Sequence, residues 1–185
     1  MTRVYELETP RLWLRQWTEA DFPAFADLCA DAETMRYFPS VLTQAQSDAM
    51  AQRCLDLINQ RGWGFWAVEE KSSQQFIGFL GLHVPSVELP FSPCVEIGWR
   101  FARTHWGKGL ATEGARAALD LAFQELALPE VVSFTALSNL RSERVMQRLG
   151  MVRDEKTFAH PALPDGHPLQ EHVLYRIKRP ENKVP

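Results

Sequence analysis

The order of patterns along this chain predicts an α/β (α+β) fold: a mixed, mostly antiparallel sheet of about seven strands with helices on both faces. Three observations carry that prediction. Three strand-like segments between Trp63 and Phe101 follow one another with no helix between them, as antiparallel neighbours do. Two strand segments, ending at Phe101 and Leu137, run through polar turns straight into helices. Amphipathic segments both precede and follow the antiparallel group, so each face of the sheet has a cover.

Each element has its own reason. Arg11 to Trp17 alternates, with Leu12 and Leu14 opposite Arg11, Trp13 and Arg15, and reads as a first strand. Thr18, with Asp21 three residues on, caps a short helix through Phe22, Phe25 and Leu28 to about Ala30. Asp31 to Leu42 is an irregular connection whose Met35, Tyr37 and Phe38 either line a pocket or seal the core. Thr43 and Gln46 form a capping box for a second helix, which runs to about Gln60 and ends at Gly62. Trp63–Glu69 and Phe76–His83, joined by a polar turn, predict a hairpin, and Cys94–Phe101 follows a proline-containing loop. The central helix is expected from Gly107 or Lys108 to about Leu126, with an apolar face of mostly alanines suited to close packing. Val131–Leu137 is β-branched and apolar, a buried strand. Leu140–Leu149 is a short helix closed by Gly150, and Met151–Phe158 and His172–Lys178 form the last strand pair.

A length of 185 residues suits one domain, residues 1–185, with a sizeable core. Lys and Arg are scattered and the net charge is −3, so there is no electrostatic case for nucleic acid. No apolar run approaches the roughly 20 residues of a membrane span, and MTRVYELETPRL lacks the apolar core of a secretory signal. Cys29, Cys54 and Cys94 fit neither a disulfide framework nor a zinc site, and the five histidines have no metal-ligand spacing. A cytoplasmic protein without a metal, monomer or homodimer, is expected.

The chain is organised around WRFARTHWGKGLATEGARAAL, Trp99 to Leu119. Gly107 and Gly109 flank Lys108 where a strand turns into a helix, and glycines there let backbone approach a ligand closely. Free N–H groups and the positive end of the dipole coincide in the first helical turn, so this turn is a candidate phosphate site. A tight turn alone would also satisfy the pattern. A second turn, Leu137 to Ser142, likewise opens a helix at a strand end, with Asn139 at the N-cap and Ser142 within the first turn. Asn139 as a plain cap explains its position equally well. Two such turns would lie at one edge of the sheet, where ligands of α/β sheets collect.

The combination of EIGWRFARTHWGKGLATEGARAAL with SNLRSERVMQRLGM resembles the GNAT superfamily of acyl-CoA-dependent N-acyltransferases, and within it the RimJ/RimL-like branch. ETPRLWLRQWTEADFPAF is similar to that branch's first strand and helix, so the likeness covers nearly the whole chain. It implies that Trp106, Gly107, Lys108, Gly109 and Leu110 offer backbone N–H groups to the coenzyme A pyrophosphate. The edge Gly98, Trp99, Arg100 and Phe101 would hold the pantetheine arm, Asn139 would contact the same arm, and Ser142 would lie near the thioester sulfur. Two positions depart from the family pattern. Thr104 stands where the glycine motif begins with Gln or Arg, and Arg103 either replaces that contact or does not. Met146 stands where many relatives carry an acid tyrosine, which directs the acid role to Ser142.

The resemblance implies an acetyl-CoA-dependent N-acetyltransferase acting on a primary amine, either a protein N-terminus or a small molecule. Acyl transfer to an amine needs a base, a polarised carbonyl and a proton for the leaving thiolate. Glu96 occupies the position of the general base of some relatives, and its apolar neighbours would raise its pKa. An outward glutamate paired to an arginine is the plainer alternative. Glu113 is a weaker candidate, because a first-turn glutamate also suits the helix dipole. His83 or His160 could touch an acceptor. A different class, a catalytically silent acyl-CoA-binding or protein-interaction module of the same fold, retains all these residues except the need for turnover.

Overall fold

The structure, a computed structural model, describes residues 2–181. Its sheet has nine strands in the order β1-β2-β3-β4-β5-β6-β9-β7, with β8 also paired to β9. The strands are β1 (Leu7–Glu8), β2 (Leu12–Arg15), β3 (Phe65–Glu70), β4 (Gln75–His83), β5 (Glu96–Phe101), β6 (Glu130–Ala136), β7 (Val152–Arg153), β8 (Phe158–Ala159) and β9 (Glu171–Lys178). The helices are α1 (Phe22–Ala30), α2 (Gln44–Arg61), α3 (Leu110–Gln124) and α4 (Leu140–Arg148). All described pairings are antiparallel except β5 with β6.

Alternation decides which side chains each layer receives. Leu12, Leu14 and Leu80 point to α3, where Gly114 lets their methyl groups approach the helix. Phe79 and Phe76 point the other way and meet Phe25 of α1 edge-on at 5.8 and 6.2 Å. Thr43 caps α2 by accepting the Gln46 N–H, and the left-handed Gly62 (φ 86°) closes it. Leu12, Leu14, Phe25, Ile58, Trp66, Leu80 and Leu82 have no exposed surface. Each such side chain contributes roughly 1.5–3 kcal/mol by leaving water.

The elements differ from expectation in three places. A two-residue β1 pairs with β2, too short to leave an alternating pattern. Met151–Phe158 is not one strand: β7 and β8 lie end to end along the outer edge of β9. Between them Asp154 turns its carboxylate to Arg176 Nε (3.0 Å), and the polar run Asp154-Glu155-Lys156 has nothing to bury. Finally, α3 starts at Leu110, not at Gly107 or Lys108. Gly107 (φ 73°) and Gly109 (φ 77°) are both left-handed, a conformation that cannot belong to a right-handed helix.

Candidate active site

Strands β5 and β6 part almost as soon as they meet. Their ladder has a single register pair, Glu96 with Val132, supported by the Val132 N–H to Val95 carbonyl bond of 2.9 Å. The Ser133 hydroxyl then donates to the Ile97 carbonyl (2.9 Å), a side chain standing in for the missing strand. From Gly98 to Phe101 the edge of β5 that faces β6 has no strand partner among the described residues. A cavity of about 680 Å³ opens there and runs from the glycine turn to the far face of the sheet. Its lining includes Glu96, Gly98, Trp99, Arg100, Phe101, Trp106, Gly107, Gly109, Leu110, Asn139 and Ser142. Among the residues singled out in the sequence, Lys108 and Glu113 do not line it, nor do Arg103 and Thr104.

The glycine turn is held from outside by a latch that the sequence did not reveal. Arg11 Nη1 donates to the Lys108 carbonyl (2.9 Å), while its Nε is paired with Glu113 Oε2 at 2.6 Å. The Thr9 hydroxyl and the Arg11 N–H donate to the other carboxylate oxygen of Glu113. Burial pushes the Glu113 carboxyl up, but these bonds outweigh it and hold the group below the usual carboxylate range. Glu113 is therefore committed to the latch. Arg11→Ala is expected to destabilise the protein by about 0.5–1 kcal/mol, the modest value of a half-exposed charged bond, read from the denaturation midpoint. A Cβ at Gly107 would meet nothing within 4 Å, and at Gly109 only Arg11 Nη2 at 3.7 Å. The glycines are required by backbone conformation, and the turn stays open to a ligand's close approach. Thr104 faces His105, with its Oγ1 3.0 Å from Nδ1. Arg103 is exposed and outside the cavity lining.

Ser142 sits at a junction of three elements. Its Oγ accepts from Trp99 Nε1 of β5 (3.3 Å) and from Asn139 Nδ2 (3.1 Å). With both lone pairs engaged, its own O–H is left to donate toward the cavity. Asn139 gives its other N–H to Thr135 Oγ1 (2.9 Å) and caps α4 by accepting the Ser142 N–H (3.4 Å). Its cap role is real, and its amide donors are already used within the protein. Met146 is buried in the core. Trp106 donates to the Phe101 carbonyl (2.8 Å) and carries the Arg141 guanidinium 3.8 Å above its ring, which ties α4 to the turn.

Glu96 lies on the opposite face of β5 from Trp99, level with His83 of β4. It forms no hydrogen bond or ion pair among the described residues, so the arginine partner considered from the sequence is not there. The residue lines the cavity, and burial pushes the carboxyl's pKa up to about 8. His83 stacks on Phe65 at 4.9 Å and is lowered to about 4 by burial, then by Arg61 and Arg53. Beyond Glu96, His160 and His172 join Phe91, Phe134 and Phe158 in one aromatic cluster, with the two imidazoles 4.9 Å apart. Burial lowers both of these histidines as well. Phe91, Phe134, Phe158 and His172 were not singled out from the sequence. They come from four segments, the proline loop, β6, β8 and β9, and only the fold brings them together.

The resemblance is supported by comparison with known proteins. The acetyltransferase (GNAT) domain profile matches residues 11–152. YkkB, an uncharacterised protein of Bacillus subtilis, is 32% identical over 149 residues, 79% of this chain and 84% of its own. A GNAT-family acetyltransferase from Bacillus anthracis superposes with a TM-score of 0.79 at 24% identity, covering 95% of this chain and 99% of that one. The ribosomal L7/L12 acetyltransferase RimL, solved in complex with coenzyme A, shares the fold with a TM-score of 0.74 at 17% identity, over 94% and 98% of the two chains. A sheet that splays beside a left-handed glycine turn is thus joined to a family match over most of the chain's length: this protein belongs to the GNAT acetyltransferases.

Proposed function

We propose that this chain, as a single domain, binds acetyl-CoA in the cleft between β5 and β6 and transfers the acetyl group directly to a primary amine. The observation that carries the reading is the pairing of Ser142 and Glu96 on opposite sides of β5, with the opened edge of that strand between them. The backbone N–H groups of Gly107 to Leu110 fit a pyrophosphate, because two left-handed glycines leave the turn clear and the N-terminus of α3 follows, whereas the Trp106 N–H expected to join them is spent on the Arg103 carbonyl (3.1 Å). The free edge Gly98 to Phe101 fits an amide-bearing arm that adds to the sheet as a strand would. When bound, acetyl-CoA supplies the acetyl group as a thioester.

The protein's own groups complete the chemistry. The Glu96 carboxylate, directly or through a water, takes the proton that the amine nitrogen loses as its bond to the acetyl carbon forms. The Ser142 O–H gives its proton to the sulfur as the carbon–sulfur bond breaks, and the N–H donors of Trp99 and Asn139 favour the charge that develops on its oxygen. Main-chain N–H groups where β5 and β6 separate polarise the carbonyl. The aromatic and neutral histidine walls keep water out of the acceptor side. The acceptor is a primary amine on a protein N-terminus or on a small molecule, and the site lies in the cytoplasm. Among the described residues no helix is long and apolar enough to cross a membrane.

Glu96 gives this reading a pH signature. A base must be ionised to act, so kcat/KM should fall tenfold per unit as pH drops below about 8. Glu96→Gln is expected to abolish that acidic limb and to lower the plateau by about 10²-fold or more. Stability supplies an independent check. The folded protein retains a proton on Glu96 between the ordinary value of 4.5 and about 8, where the unfolded chain has released it. Stability should therefore fall as pH rises through that window, and Glu96→Gln should flatten the slope. A wild-type limb that survives in Glu96→Gln would assign the base to another group.

A further inference from the structure

Arg100 is a charge the reaction above does not use. It projects from β5 on the same face as Glu96, four residues further along, into the space enclosed by α1, α2 and their connection. Only 7% of it is exposed, and it lines the cavity. No carboxylate partners it among the described residues. Nη1 donates to two sulfurs, Cys29 Sγ at 3.3 Å and Met50 Sδ at 3.9 Å, which are weak acceptors. The guanidinium is held between Phe38 (4.1 Å) and Phe79 (5.1 Å). Nε is buried with no partner, and Nη2 has none among the described residues.

A guanidinium buried without an anion is costly, and two rings with two thioether- or thiol-type sulfurs do not replace a carboxylate. A purely structural cation at this place would be served better by a methionine or leucine of similar volume. The arrangement instead resembles a preformed receptor: the planar fork is fixed in orientation by the two rings, in a residue that lines the cavity and has no anion paired to it among the described residues. Phe38 belongs to the connection between α1 and α2, so the same contact fixes a wall of the acceptor side.

We propose that Arg100 recognises a carboxylate on the acceptor, so that the preferred substrates are amines carrying a carboxylate at a set distance, as amino acids and short peptides do. This rests on the proposed transfer to an amine beside Glu96. The span follows from the strand: four residues separate the two Cα atoms by about 13 Å, at about 3.3 Å per residue. The Arg100 side chain takes up part of that distance. An amine at Glu96 and a carboxylate at Arg100 therefore suit an acceptor of about two to three residues, at roughly 3.3–3.6 Å each.

Glycine oligomers provide a ruler. Glycine, diglycine, triglycine and tetraglycine, each as free acid and as carboxamide, would be measured for binding to the coenzyme A-saturated protein by calorimetry and for acetylation. Coenzyme A affinity alone is recorded first, and its absence would refute the proposed function rather than this inference. The free acids of two or three residues should bind and react about 10²-fold better than their amides, because the amide leaves the guanidinium buried and unpaired. Arg100→Met should bring that ratio to about one in protein saturated with coenzyme A, while Arg100→Lys should keep part of it. Melting curves establish that the variants are folded. An acid-to-amide ratio near one in the wild type, or a ratio that persists in folded Arg100→Met, would overturn the proposal.

Discussion

Replacing Ser142 by alanine is expected to lower kcat by about 10²–10⁴-fold with little change in acetyl-CoA affinity. The argument is local. Ser142 Oγ accepts N–H donors from Trp99 and Asn139, so its single proton has one direction left, toward the cleft. The side chain is half-buried and the change removes one oxygen, so little stability is at stake beyond two hydrogen bonds, about 1 kcal/mol each. Binding energy comes from the turn and the strand edge, which the substitution leaves alone. Trp99→Phe offers a graded companion, because it removes one of the two donors and keeps the ring. Steady-state kinetics that returned an unchanged kcat in Ser142→Ala would reduce the residue to a member of the α4 cap.

The double substitution of Gly107 and Gly109 by valine should abolish coenzyme A binding by calorimetry while the protein remains folded. Both glycines are left-handed, where a β-branched residue pays a conformational penalty of order 1–2 kcal/mol at each position. A Cβ at either place meets no main-chain atom, so the fold itself does not forbid the change. The turn would relieve the strain by moving, and N–H groups that must converge on one ligand would no longer do so. Since pyrophosphate binding by such a turn depends on several aligned donors, an affinity loss of at least 10²-fold is expected. Unchanged affinity would remove the turn from the binding site.

How much of this was readable before the fold was known follows from the range of each interaction. The capping box of α2, its Gly62 terminus and the β3–β4 hairpin rest on residues within a few positions of each other, and their patterns identify them directly. Local periodicity marks the strand ends at which Glu96, the two glycines, Asn139 and Ser142 sit, and the structure brings them to one cavity, while the roles proposed for them come from the family resemblance. Long-range contacts left no local trace. The latch joins Arg11 to Glu113 across 102 residues, and the aromatic cluster joins Phe91 to Phe158 and His172. Arg100 was singled out for its place on the strand edge. That its side chain is buried without an anion depends on where α1 and α2 lie. The starting residue of α3 was misplaced because the glycine motif was read as helix, whereas its two positive φ angles end the turn before the helix can begin.

The central claim is that the cleft between β5 and β6 performs acetyl transfer to an amine. It is tested most directly by mixing the protein with acetyl-CoA and a panel of primary amines and peptides, while counting released thiol against acetylated amine by mass. Thiol release that requires an acceptor, with one N-acetyl product formed per thiol and no acetyl group left on the protein, is the expected result. Tight acetyl-CoA binding with no turnover on any acceptor would contradict it and identify a binding module.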